Sequence, residues 1–390
     1  MGADAQQRAP RRVAWLDGVR ALAALYVVLH HVWLMSYGGY PRNDGPFYLG
    51  WLVHGHVAVA VFIVVSGFSL ALGPSRHEMR LPAGGADFIR RRFWRIVPPY
   101  WAALGLSVVF VVLGWSVTST GEAIGVRDVV IHAVLLQDAV ENVSPNGVFW
   151  SIAVEWQIYF FFPLLLLCYR RIGPWRSTGL AAAVVVALHV LAQPFSSLAL
   201  LDRFTPQFAV LFTFGCLAVA VVGRVPTAVA ARSAVLIWLA FGVLRAVIGP
   251  EFVAESYFWV ELWLGTGVAL GFVALSEGGL TGLARVLEHR ALVFLGHMAY
   301  SLYLVHALFL DLIRIHVLAP LGVQGGEAFW PLLLLGVPVA VVGAWAFFLV
   351  FERPFLTIRS ARQLAQALSW RRRSRGAAKE RPVGAAEIAG

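Results

Sequence analysis

The sequence predicts an all-α, polytopic membrane protein with about ten transmembrane helices and both termini in the cytoplasm. Three observations carry this. Hydrophobic residues make up 59% of the chain and charged residues 13%, with a mean hydropathy of +0.74, whereas a water-soluble domain holds about 25% charged residues. Apolar runs of about 20 residues, enough to span a bilayer, recur at residues 14–34, 50–73, 96–115, 147–168, 177–193, 206–223, 233–249, 257–275, 291–316 and 329–351. With the N-terminus inside, about 25 of the 31 Lys and Arg fall on the cytoplasmic side and about five outside, the asymmetry that orients membrane helices.

Taken in order, the first ten residues are polar and basic. The apolar run after them has no small-residue cleavage site, which predicts an uncleaved first helix and not a signal peptide. Inner loops then carry Arg76 to Arg95, Arg170, Arg171, Arg176, Arg224, Arg232, Arg285 and Arg290, while outer loops carry Asp44, Glu122, Asp128, Asp138, Glu141, Asp202, Glu251 and Glu255. Residues 1–360 read as one membrane core and 361–390 as a basic tail, in which Trp370 to Arg375 (WRRRSR) lies on anionic headgroups before disorder begins. A pI of 10.2 therefore points to lipid, since the arginines sit in loops between spans, and not to nucleic acid. Cys168 and Cys216 fall within spans as small hydrophobes, framing neither a disulfide nor a zinc site. No internal repeat stands out, which disfavours transporters built by duplication.

Several polar residues interrupt these spans. In WLDGVRALAALYVVLHHVW (Trp15 to Trp33), Arg20 and His31 are eleven residues apart. At 100° per residue they share one stripe, about 16 Å apart along the axis. Asp17 falls within about 40° of the stripe and His30 about 80° away. The helical rise puts Arg20 near the cytoplasmic face and His31 about 25 Å up, in the outer part of the span. The fourth span places Glu155 about 12 Å below the outer surface, with Ser151 and Tyr159 one turn either side. The ninth brings Tyr300, Ser301, Tyr303 and His306 to similar depth, and His54 and His56 open the second span there. Tyrosines and histidines near span ends also serve as interfacial anchors, and Ser66 and Ser301 as packing residues. An ionisable Glu155 or His31 well inside a span is a functional-site hypothesis by default. A carboxylate beside a histidine is a general-base arrangement.

On the cytoplasmic side, FIRRRFWRIVPPYW (Phe88 to Trp101) sets Arg90, Arg91, Arg92 and Arg95 against the third span, with Pro98 and Pro99 expected to fix its start. Topology alone requires some of these charges. Guanidinium groups interleaved with Phe93 and Trp94 also suit phosphates and a stacked base.

These residues make the chain resemble the acyltransferase 3 family, integral membrane acyltransferases acting on sugars and some secondary metabolites. The resemblance runs from LDGVRALAAL at Leu16 to FERPF at Phe351. Its motifs fall on Arg20 and His31, on Arg92 and Arg95, on Ser66–Gly67–Phe68, and on WSIAVEWQIY and YSLYLVH, which bring in Glu155, Tyr303 and His306. The doubled His30–His31 and the stretch AVAVFIVV before Ser66 depart from the pattern. The resemblance implies an acyl-CoA donor, with acetyl-CoA expected, and a hydroxyl acceptor: a cell-envelope carbohydrate or glycolipid, or else a macrolide or similar metabolite. His31 and Glu155 are the expected catalytic pair, with Glu155 orienting His31. Arg20, Arg92 and Arg95 are expected to hold the donor. Asp17, Ser151, Tyr159, Tyr303 and His306 are the supporting set, no metal is called for, and the expected location is the cell membrane. The competing class is a proton-coupled transporter using Arg20, Glu155 and His31.

Overall fold

A helix satisfies its own backbone, so it crosses hydrocarbon where an open strand cannot. The computed structural model describes residues 13–194, 203–360, 362–364 and 366, and every regular element among them is helical. The N-terminal arginines, Asp202 and the basic segment 370–375 lie outside the described residues, as does nearly all of the 361–390 tail.

The principal helices are α1 (Ala14–Ser36), α2 (Gly55–Ala71, preceded by a 3₁₀ turn over Phe47–His54), α3 (Gly84–Val112) and α4 (Val126–Ala133). They continue with α5 (Trp150–Ile172), α6 (Pro174–Ala192), α7 (Gln207–Val221), α8 (Thr227–Ile248) and α9 (Tyr257–Ser276). The last are α10 (Arg290–His297), α11 (Ala299–Ile313) and α12 (Val337–Phe347). Nine helical segments among the described residues are long and apolar enough to cross a membrane. The other expected span corresponds to α7, whose 15 residues cover only about 22 Å.

Three boundaries differ from the sequence reading. First, α3 begins at Gly84, so the arginine cluster lies on the same helix as the third span and Pro98 and Pro99 lie inside it. Asp87 pairs with both Arg90 and Arg91 along the helix face, supporting the extra turns. The carbonyls that the prolines leave unpaired are the kind of defect that neighbours in a membrane bundle can absorb. Second, the ninth span is broken at Met298 (φ −110°, ψ 15°) into α10 and α11. The backbone of Gly296 packs directly on that of Asp17, where a Cβ would collide, so α10 lies against the start of α1. Third, α11 runs on into a π turn over Arg314–Leu318, and the last span carries π turns over Leu332–Gly336 and Phe348–Glu352.

The bundle is organised around α1, which packs on α2, α10 and α11. A second layer joins α2 to α7 and α7 to α9. Gly67 permits the first of these contacts, its Cα facing the backbone of Phe212. By contrast, only 11% of the best apolar window of α8 is buried, so most of that helix is left for lipid.

Candidate active site

The basic end of the site is built by selection within one helix. Of the four arginines on α3, Arg90 and Arg91 are engaged by Asp87, while Arg92 and Arg95 line a cavity of about 150 Å³. The Arg92 guanidinium lies 5.7 Å from the Phe88 ring centre, and its buried Nε has no hydrogen-bond partner. Arg20 reaches the same cavity from α1. Its Nη1 donates to Asp17 Oδ1 at 2.7 Å and its Nη2 to Ser69 Oγ at 2.6 Å. Asp17 also faces His297 Nε2 at 3.6 Å. The three guanidinium groups thus share the cavity wall with Glu155 and Glu352, while Asp17 engages Arg20.

Midway along the cavity, Glu155 Oε1 accepts from Ser66 Oγ at 2.9 Å and from the Tyr159 hydroxyl. The helical spacing that puts Ser151 and Tyr159 one turn from Glu155 brings all three to the cavity wall. Ser151 Oγ lies 2.7 Å from Tyr303 Oη, and both residues line the cavity.

Beyond Tyr303 sit two histidines outside the cavity lining. His31 Nδ1 lies 2.9 Å from the Val27 carbonyl and 3.3 Å from His306 Nε2. His306 Nδ1 lies 3.0 and 2.9 Å from the carbonyls of Leu302 and Tyr303. Facing only acceptors, His306 Nδ1 must carry a proton, so in the neutral ring its Nε2 is an acceptor. His31 Nδ1 then donates, and its Nε2 keeps a lone pair free for a reacting proton. His30 turns away, with Nδ1 2.7 Å from the Leu52 carbonyl.

The structure therefore brings Arg20, Arg92, Arg95, Glu155, Ser151, Tyr159 and Tyr303 to one cavity, with Asp17 behind Arg20, and joins His31 to His306. It does not bring Glu155 to His31: the carboxylate is held by Ser66 and Tyr159, and the partner of His31 is a histidine. The sequence reading also missed Glu352. This residue lies on the π turn of the last span, lines the cavity and accepts from the Ser301 amide at 3.1 Å and from the Ser301 hydroxyl. Its sequence signals were its place in FERPF, where the family resemblance ends, and an acidic residue directly after an apolar run. Among the described residues no three His, Cys, Asp or Glu side chains are grouped as a metal would need.

The described residues thus form a helical bundle that encloses an arginine-lined cavity beside a pair of histidines. Residues 13–349 match the acyltransferase domain of the acyltransferase 3 family, and the chain belongs to that family. It is an acyltransferase. It is 27% identical over 317 residues to acyltransferase MdmB of Streptomyces mycarofaciens, covering 76% of this chain and 78% of that one. Nodulation protein 10 of Rhizobium leguminosarum bv. viciae is 24% identical over 382 residues, covering 90% and 96%. Peptidoglycan O-acetyltransferase OatA of Listeria monocytogenes is 25% identical over 188 residues, covering 45% of this chain and 27% of that one. No solved structure matches the chain.

Proposed function

We propose that the protein moves an acyl group, acetyl first among the candidates, from acyl-CoA to a hydroxyl of a cell-envelope carbohydrate or glycolipid. The observation that carries this reading is the cavity, lined by Arg20, Arg92 and Arg95 together with Ser151 and Tyr303, the last one helical turn before His306, which contacts His31. A cavity of about 150 Å³ admits a slender chain but is far below the volume that typical small-molecule sites enclose. The nucleotide end of CoA accordingly stays at the mouth, its phosphates paired with guanidinium groups. The pantetheine arm enters along the Arg20 to His31 stripe, and displacement of Tyr303 lets the thioester meet His31.

There His31 Nε2 takes the proton of the acceptor hydroxyl as the oxygen attacks the thioester carbonyl. The C–S bond breaks, and CoA leaves as the thiol with that proton. The same lone pair would equally serve an acyl-histidine intermediate. Glu155 acts inside the donor cavity, beside its arginines and Glu352, and not as the orienting partner of His31. Family membership sets the transporter reading aside. The carbohydrate acceptor is favoured by the likeness to a peptidoglycan O-acetyltransferase, and a secondary metabolite is the other candidate. Mass spectrometry of surface glycans and secreted metabolites from a deletion strain tests the choice: loss of acylated glycan supports it, and loss confined to a secreted metabolite overturns the carbohydrate reading.

A further inference from the structure

Buried polar atoms in folded proteins are paired with few exceptions, and each exception asks for a partner. Four such unpartnered atoms are gathered at the end of the bundle remote from Arg92 and Arg95: Arg245 Nε, Asn43 Oδ1 and both ring nitrogens of His54. Arg245 lies in the last turn of α8, and no carboxylate pairs with it among the described residues. Its guanidinium rests against Gly50 next to the Asn43 amide, so that a side chain at Gly50 would strike both. His54 ends the 3₁₀ turn and is only 1% exposed. The His54 ring packs 5.9 Å from that of Phe241, one turn before Arg245 on the same helix. The cluster also adjoins the reacting group: the Leu52 carbonyl, two residues before His54, holds His30, whose ring packs 5.3 Å from that of His31. His31 is thus flanked by His306 toward the donor cavity and by His30 toward this second polar cluster.

We infer that Arg245, Asn43 and His54 form the acceptor subsite and bind an anionic group flanked by hydroxyls, as in a uronate or a sugar phosphate. The inference rests on the acyl-transfer reading for the word acceptor, but the binding it describes does not need a donor. The chemistry follows from the atoms left open. A guanidinium without an acidic partner pairs with a carboxylate or phosphate, which fits its fork. Asn43 Oδ1 accepts from a hydroxyl, and each His54 ring nitrogen can make one hydrogen bond. A neutral sugar would satisfy the amide and the imidazole but leave the cation unmet.

The test is ligand binding to the full chain in phosphatidylcholine nanodiscs without acyl-CoA, read as a saturable rise in melting temperature. The probes are sodium glucuronate, glucose 1-phosphate and glucose, with nanodiscs doped with phosphatidylglycerol as a separate arm. At least one anionic sugar is expected to stabilise the wild type and glucose is not. Arg245→Gln should weaken the response roughly tenfold or more, the loss of one charge-assisted contact, and Arg90→Gln, whose side chain Asp87 already engages, should leave it intact. Asn43→Asp is the second variant, placing a carboxylate beside the guanidinium, and should also block the response. An unchanged response in Arg245→Gln, no response to either anion, or a response to glucose equal to that of the anions overturns the subsite. Stabilisation by phosphatidylglycerol that the sugars cannot compete with assigns the cluster to lipid and overturns it as well. Should the anion bind as expected while no acyl transfer is found, the subsite stands and the acyl-CoA reading falls.

Discussion

Tyr303 Oη lies 2.7 Å from Ser151 Oγ, and this hydrogen bond joins α11 to α5 at the cavity wall, one helical turn before His306. Because both groups are buried, each loses its partner when the other is removed. Tyr303→Phe and Ser151→Ala should each cost about 1 kcal/mol of stability. The double variant should cost little more than either single one, since both remove the same bond. Thermal unfolding of the four proteins checks this, and fully additive losses would show that the bond does not form.

The split among the α3 arginines gives a second prediction. Arg92→Ala and Arg95→Ala should raise the KM for acyl-CoA with less effect on kcat, as expected when uniform donor binding is lost. The expected loss is about 1 to 3 kcal/mol each, with Lys restoring only part of it. Arg90→Ala and Arg91→Ala should leave the donor KM unchanged, because Asp87 already engages those side chains. Initial rates against acyl-CoA concentration on purified variants decide it; a uniform response of all four arginines would reduce the cluster to a topology signal.

Glu155 is held by Ser66 and Tyr159 within the arginine-lined cavity and makes no contact with His31. Glu155→Gln removes the charge that balances Arg92 and should therefore alter the donor KM more than kcat. A collapse of kcat at unchanged donor KM would return Glu155 to the role of orienting the histidine.

The parts of this site legible in the sequence are those fixed by position along one helix. Helical rise and rotation place Arg20, Asp17 and His31 relative to one another, and Ser151, Glu155 and Tyr159 likewise. Which helix faces which depends on packing between segments far apart in sequence, and there the reading ran out. It joined Glu155 to His31 by equal depth, but depth says nothing of direction around the bundle. The meeting of His306 with His31, of Ser69 with Arg20 and of Glu352 with Ser301 all depend on such packing. The break at Met298 was hidden because LGHMAYSL is apolar on both sides of it, and the close approach of Gly296 to Asp17 becomes visible only when α10 is docked on α1.

The arginine asymmetry predicts an orientation in the membrane with both termini inside, and it is testable directly. Reporter fusions after Gly45 and Asn142 should read as external, and fusions after Pro174 and Gly282 as cytoplasmic. An inverted pattern would place the arginine-lined end of the cavity outside the cell and remove cytoplasmic acyl-CoA as its ligand.

The central claim is that His31, with its free Nε2, performs the transfer at the end of a donor cavity. The most direct measurement is acceptor-dependent release of CoA from acetyl-CoA by purified wild type, His31→Ala and His30→Ala in nanodiscs. A membrane extract supplies the acceptor, and folding is matched by melting temperature. His31→Ala should abolish release, whereas His30→Ala, whose ring is turned to the Leu52 carbonyl, should retain most of it. Full release by His31→Ala, or loss in His30→Ala alone, would contradict the account.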